Sequence, residues 1–408
     1  MTARVVSLAL ATLVACVANA QSVDGLKLPP GFTATVVHEG QGPARHLAVA
    51  ANGDIYLAGR GGLVAMRDTN GDGKVDETKR FGDVEGTEVI LFGDWLYASD
   101  NVGVYRYALK KGELAPSGAK EVVVDGFPME RQHADKTFTL DAKGTLYINV
   151  GAPSNSCQKD DRQPGSLGRD PCPILEKYGG VWVFDGNKLN QKASDGRRYA
   201  TGMRNAVALE WNAAQNALYA VIHGRDSLDT LFPALYTAED NATRTAEEFH
   251  KITDGGDYGW PYTFFDTRLK KRMVAPEYGG DGKKVPEKGR YPDPLVAFPA
   301  HWAPNDLLFY GGKSFPAKYQ DGAFIAFHGS WNRAPEPQAG YKVVFQPLKD
   351  GKPGGTWEEF ADGFAGELEG NNPRNARYRP VGLATGPDGS LFIADSQKGR
   401  IWKVSYQK

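Results

Sequence analysis

Cysteine is scarce in this chain, long apolar runs are almost absent, helix signals are few, and neither charge sign dominates. Each shortage excludes something. The 408 residues include three cysteines. None stands in a Cys-x-x-Cys-His motif, so the chain carries no c-type haem of its own. Lysine and arginine number 48 against 49 acidic residues. That balance supplies no general field for nucleic acid or an anionic membrane, so any cationic site must be local. Beyond the first twenty residues no apolar stretch approaches the ~20 residues that a spanning helix needs, which excludes an integral membrane segment of that kind.

Residues 1–20 read as a segment apart. They hold one charge, Arg4, then an apolar run over 5–17, then the small residues Ala18-Asn19-Ala20. This is the pattern of a secretory signal with an A-x-A cleavage site. Leu13-Val14-Ala15-Cys16 also resembles a lipoprotein box, in which Cys16 would carry lipid. Plain export is the preferred reading, because the A-x-A site follows directly. The expected location is periplasmic or secreted, with residues 21–408 as one domain. In an oxidising compartment Cys157 and Cys172, in one Gly/Pro-rich loop, read as a disulfide rather than two free thiols. Closing that loop contributes roughly 3 kcal/mol in the chain-entropy account.

What the chain has in abundance is glycine, 49 residues, with 25 prolines and many aromatics. Short alternating apolar runs between turn residues indicate an all-β fold. One unit recurs: Gly53-Asp54-Ile55-Tyr56-Leu57, Asp94-Trp95-Leu96-Tyr97, Gly144-Thr145-Leu146-Tyr147-Ile148, Asn216-Ala217-Leu218-Tyr219, Gly322-Ala323-Phe324-Ile325 and Gly389-Ser390-Leu391-Phe392-Ile393. A second strand often follows, as in Gly180-Val181-Trp182-Val183. Six copies predict a six-bladed β-propeller, with five or seven blades and a β-sandwich as the alternatives. The segment from Phe32 to His38 is expected to complete the last blade and close the ring, removing exposed edges. Blades of about 65 residues exceed the ~40–50 of compact repeats, so the excess lies in loops. Segments 151–179 and 228–288 stand out as insertions.

A radial fold turns equivalent edges of all blades toward one channel. That makes four distant arginines candidates for one anion site: Arg204, Arg333, Arg377 and Arg379. Arginine suits planar carboxylates because its fork binds bidentately. Arg377 and Arg379, two apart before a strand, can face one side. The candidate base is His133, at a blade entrance; histidine titrates near neutrality and can accept a proton from an alcohol. His301 and His328 compete for that role. Asp68, Asn70, Asp72 and Asp76, with Gly73 between them, match the first part of a calcium loop. Position twelve is Lys79, so the choice lies between a structural calcium loop and an Asp/Gly turn without an ion.

Taken together, His133, Gly202-Met203-Arg204-Asn205, His223-Gly224-Arg225-Asp226, Gly255-Gly256-Asp257-Tyr258-Gly259-Trp260-Pro261, His301-Trp302-Ala303-Pro304, the segment 328–333 and Arg377-Tyr378-Arg379-Pro380 resemble the glucose/sorbosone dehydrogenase family. The nearest branch is the sorbosone and pyranose dehydrogenase-like group. The resemblance covers nearly the whole chain after the leader. It implies a six-bladed quinoprotein propeller holding pyrroloquinoline quinone (PQQ), a tricarboxylated ortho-quinone, and Ca2+. It implies that His133 takes the proton of an aldose or sugar-aldehyde hydroxyl while hydride passes to the quinone. Arg204, Asn205, Arg377 and Arg379 match the grip on the cofactor, and Gly224 and Arg225 match a calcium segment. Where family members carry Lys or Thr near the cofactor, this chain has His301, Trp331 and Arg333. Electrons would leave to an external acceptor such as a cytochrome or quinone. Two rival classes are a calcium-dependent propeller sugar lactonase and a non-enzymatic binding propeller.

Overall fold

Each of the six repeated units forms the second strand of a blade, and it is buried on both faces. Ala217–Ile222 shows why the pattern reads so clearly. Successive side chains point to opposite faces of a strand. Leu218 and Ala220 pack toward the preceding blade, while Tyr219 and Val221 pack toward the next. The computed structural model describes residues 23, 25–368 and 371–407. The expected signal segment and Cys16 lie outside the described residues.

Six sheets result. The innermost strands are Ala44–Val49, Val89–Phe92, Phe138–Leu140, Ala208–Asn212, Pro304–Phe309 and Pro380–Thr385, for blades 1 to 6. From each, three further strands run outward in antiparallel order. Six apolar clusters lie between neighbouring blades and form the core. The richest joins blades 5 and 6, where Phe32, Phe315, Phe324, Phe360 and Trp402 are all buried. Phe32–His38 pairs with Ile401–Tyr406, and Phe32 lies opposite Tyr406. The ring therefore closes through its N-terminal strand, as expected, and the blade number is six.

The insertions depart from expectation in one respect. Segment 228–288 is not a single loop: Glu247–Ile252, the third strand of blade 4, runs through it. Its sequence, EEFHKI, lacks the alternation that marks the other strands. On either side of it lie the helices Leu228–Leu231 and Ala238–Arg244 and the hairpin Thr263–Asp266/Lys271–Val274. Segment 151–179 packs against them. Its Cys157–Cys172 disulfide has an S–S distance of 2.04 Å. The bridge is buried against Trp260, whose indole N–H donates to the Asn155 carbonyl at 2.9 Å. The insertions thus form one wall at one end of the ring. Among the described residues no helix is long and apolar enough to cross a membrane.

Candidate active site

Residues leading into the innermost strands of blades 1, 3, 4 and 5 meet around a cavity of about 520 Å³. Of the residues expected at the site, His133, Arg204, Asn205, Gly224, His301 and Trp331 line it. Arg45, Arg60, Arg131, His223, Asp226, Glu247, His328 and Asn332 line it as well.

The buried guanidinium of Arg204 anchors one wall. Its Nη1 donates to the Gly224 carbonyl at 2.9 Å and its Nη2 to the Asp226 carboxylate at 2.5 Å. Its Nε has no partner among the described residues. Asp226 also accepts from Asn332 at 2.6 Å and from Arg162 at 3.2 Å, and its main chain is held on both sides by Asn155. Burial alone would raise the Asp226 carboxyl, but Arg204, His301 and Arg162 overcome it and hold the group well below the usual range. Glu247 braces the same wall, accepting from the N–H of Gly224 at 2.9 Å and of Ala303 at 3.2 Å. Burial pushes it up to about 7, against those two N–H donors and His301.

His133 enters blade 3 with φ at 51°, a left-handed conformation uncommon outside glycine. Its Nδ1 lies 2.5 Å from the Ala152 carbonyl. A carbonyl only accepts, so Nδ1 carries the proton and Nε2 is left as the basic atom. The approach is close enough that Gly151 is required: a Cβ there would stand 2.6 Å from the His133 Cβ. Burial, then the charge of Arg204, pulls the ring down to about 3, so it is neutral at ordinary pH. Burial and Arg204 likewise pull His223 down to about 4; its Nε2 donates to the Pro304 carbonyl at 2.6 Å. His328 is also held neutral, by burial and then Arg379, with Nε2 2.6 Å from the Ser396 hydroxyl. His301, with φ at 63°, bonds through Nε2 to the Asn241 carbonyl at 2.8 Å. Asn205 is fixed by Asn149, whose amide donates to it at 3.1 Å.

The remaining expected residues lie elsewhere. Arg377 and Arg379 do not face one side: Arg377 is exposed, while Arg379 is 0% exposed beneath the cavity floor. Arg379 donates to the carbonyls of His328 and Gly329, and its guanidinium lies 3.9 Å from the centre of the Trp331 ring. Trp331, 51% exposed, is thus backed by Arg379 and turned to the cavity. The Nη1 of Arg379 has no partner among the described residues. Arg333 is spent on carbonyls of Ala242, Ala300 and Pro337. The side chain of Arg225 is buried in a 2.5 Å ion pair with Glu277. The loop 68–76 lies on blade 1, between Leu63–Arg67 and Glu77–Phe81, away from the cavity. There Asp68 accepts from the N–H of Gly71 and Gly73, Asn70 from Asp72, Asp72 from Lys74, and Asp76 from Thr69. Among the described residues no group of three or more His, Cys, Asp or Glu side chains is arranged to hold a metal ion.

A six-bladed propeller with an arginine- and histidine-lined cavity at one mouth of its channel is the class that fold and site define. Over residues 26–407 the chain matches the family described as TrAA12-like, and it belongs to that family. It is 28% identical over 222 residues to an uncharacterized protein of Borreliella burgdorferi, covering 54% of this chain and 52% of that one. It is 26% identical over 280 residues to a pyrroloquinoline quinone-dependent pyranose dehydrogenase of Coprinopsis cinerea, covering 59% of this chain and 36% of that enzyme. The chain thus spans about half, or less, of the length of these curated relatives. Among solved structures it superposes on the Trichoderma reesei AA12 enzyme with a TM-score of 0.75 at 18% identity, covering 94% of this chain and 98% of that one. It superposes on the holo PQQ domain of the Coprinopsis pyranose dehydrogenase with a TM-score of 0.68 at 21% identity, covering 93% and 97%.

Proposed function

We propose that this protein is a PQQ-dependent sugar dehydrogenase, oxidising an aldose or sugar aldehyde and passing the electrons to an external acceptor such as a cytochrome or quinone. The observation that carries the reading is the pairing of His133 with Arg204 at one cavity: a neutral imidazole with a free Nε2 beside a buried guanidinium.

The cavity suits the cofactor. Its volume of about 520 Å³ lies within the range that buries a drug-sized ligand. The unpartnered Nε of Arg204 is a donor without an acceptor, and Trp331 offers a flat face. Arg204 and Asn205 would hold the group on one side and Trp331 on the other. When bound, the ortho-quinone supplies an acceptor for a hydride. The protein's part is the rest: His133 Nε2 takes the proton from the sugar hydroxyl as the C–H bond gives up its hydride. The Ala152 carbonyl keeps Nδ1 protonated throughout. An anionic ligand beside Arg204 offsets the charge that depresses His133 and so strengthens it as a base.

At neither expected calcium place do the described residues gather three or more acidic, His or Cys side chains around one point. The Gly224 carbonyl already accepts from the cationic Arg204, and Asp226 from Arg204, Arg162 and Asn332. The loop 68–76 is satisfied as a turn by its own N–H groups. No step needs the ion. A calcium lactonase would need free acidic side chains converging on a metal, and Asp226 and Glu247 are not free. A binding propeller leaves the oriented Nε2 of His133 without a purpose. Secretion is supported by the disulfide.

The test is reconstitution of the purified chain with PQQ, followed by absorption and by dye-linked oxidation of an aldose panel. Saturable binding with sugar-dependent dye reduction is expected. Absence of both would overturn the assignment in favour of the binding propeller.

A further inference from the structure

Two cavity-lining guanidinium groups have no partner among the described residues. Arg45 pairs with Asp135 at 2.7 Å and Arg204 with Asp226 at 2.5 Å. Arg60 and Arg131 also line the cavity, and both are exposed. Neither side chain makes a hydrogen bond or ion pair to the described residues.

The chain around each is nevertheless held. Arg60 sits in the tight turn Gly59-Arg60-Gly61-Gly62, where Gly61 and Gly62 have φ of 99° and 98°, a conformation suited to glycine. Arg80 donates to the Gly61 carbonyl at 2.7 Å and pins that turn. Beside Arg131, Gln132 donates to Asp161 at 3.0 Å and accepts from Arg162 at 3.2 Å. On its other side, Tyr178 donates to Glu130 at 2.5 Å. Both neighbourhoods are fastened and both tips are free. The fastened main chain holds each tip at the cavity mouth, where an ordinary loop arginine would be carried about by its loop. A guanidinium can stay unpaired at a rim because water solvates it there, and a carboxylate that enters displaces that water into a bidentate contact.

Resting on the dehydrogenase reading above, we infer that Arg60 and Arg131 are the rim that grips the cofactor's carboxylates. Arg45 and Arg204 bring their own anions and so cannot balance a tricarboxylate. Arg60 and Arg131 are the cavity's uncompensated cations, and a tricarboxylate uses both. With the rim so occupied, no unpaired cation is left for the sugar, and the substrate class is a neutral aldose rather than a sugar acid. The carboxylate that meets the rim could otherwise belong to a uronic acid substrate, and the experiment separates the two sources.

PQQ is titrated calorimetrically into the wild type, Arg60→Ala, Arg131→Ala, the double variant and the distant control Arg290→Ala, without sugar. Each single change is expected to raise Kd roughly tenfold and the double change roughly a hundredfold. The double variant should also show a flatter dependence of Kd on salt, with Arg290→Ala unchanged. Melting curves check that these exposed substitutions leave the fold intact. Wild-type affinity in the double variant overturns the inference while leaving the dehydrogenase reading standing; no PQQ binding by the wild type overturns that reading itself. If the double variant keeps cofactor affinity but loses KM for glucuronate relative to glucose, the rim reads the sugar's carboxylate, and the assignment to the cofactor is wrong.

Discussion

On the side of blades 4 and 5, Arg204, Asp226 and Glu247 are each bonded to protein; on the side of blades 1 to 3, Arg60 and Arg131 line the same cavity with no partner among the described residues. The difference follows burial. An ion taken out of water costs several kcal/mol unless it is paired, so the deep wall must satisfy itself before any ligand arrives. A rim cation keeps its water and can wait unpaired at little cost. The deep wall therefore sets shape and proton position, and the rim holds charge in reserve.

The largest expected effect probes the deep wall. His133→Ala should lower turnover under cofactor saturation by ~10²–10⁴-fold while leaving PQQ affinity nearly intact, with His301→Ala and His328→Ala as comparisons. Unchanged turnover in His133→Ala together with its loss in a comparison variant would move the base to blade 5. Next, Asp226→Ala strands the buried Arg204 and should cost about 3–5 kcal/mol in urea unfolding, whereas Arg131→Ala at the rim should stay within about 0.5 kcal/mol. Equal costs for the two would erase the contrast between the walls. The smallest effect concerns a region outside both. Because the oxygens of the 68–76 loop already accept from its own N–H groups, EGTA should shift the melting temperature by less than the ~1 °C that loss of about 1 kcal/mol produces in a chain of this size. A larger drop, reversed by calcium, would make that loop an ion site.

Reading the sequence located the blades because their second strands are buried on both faces, which makes every position apolar or small and leaves a turn residue at the start. The strand Glu247–Ile252 escaped for the opposite reason: it carries buried charges, Glu247 bracing Gly224 and Ala303 at the site and Glu248 pairing with Arg272. Position before a strand correctly marked His133 and Arg204 as cavity residues. It failed for Arg379, because Trp331 covers that guanidinium, and for Arg377, which is exposed and outside the cavity lining. His223 and Asp226 stood in the motif His223-Gly224-Arg225-Asp226 with no role assigned, although their place beside Gly224 puts both in the cavity lining. Nothing local marks Arg60 or Arg131. Each is a lone arginine in a turn or loop, and only the ring brings them together.

The pairing of Phe32–His38 with Ile401–Tyr406 also constrains how the molecule comes into being. Phe32 and Tyr406, partners in the register, sit at opposite extremes of the described chain. Synthesis delivers the first of them before nearly all of the described chain and the second after it. Until then blade 6 has an open edge, and Phe32 has only Phe315, Tyr319 and Phe360 of blade 5 to pack against. Contacts of such long range are slow to form. Truncating a handful of C-terminal residues would thus do more than trim a terminus: it would leave the circle unlatched, with its first strand free to join another chain's sheet.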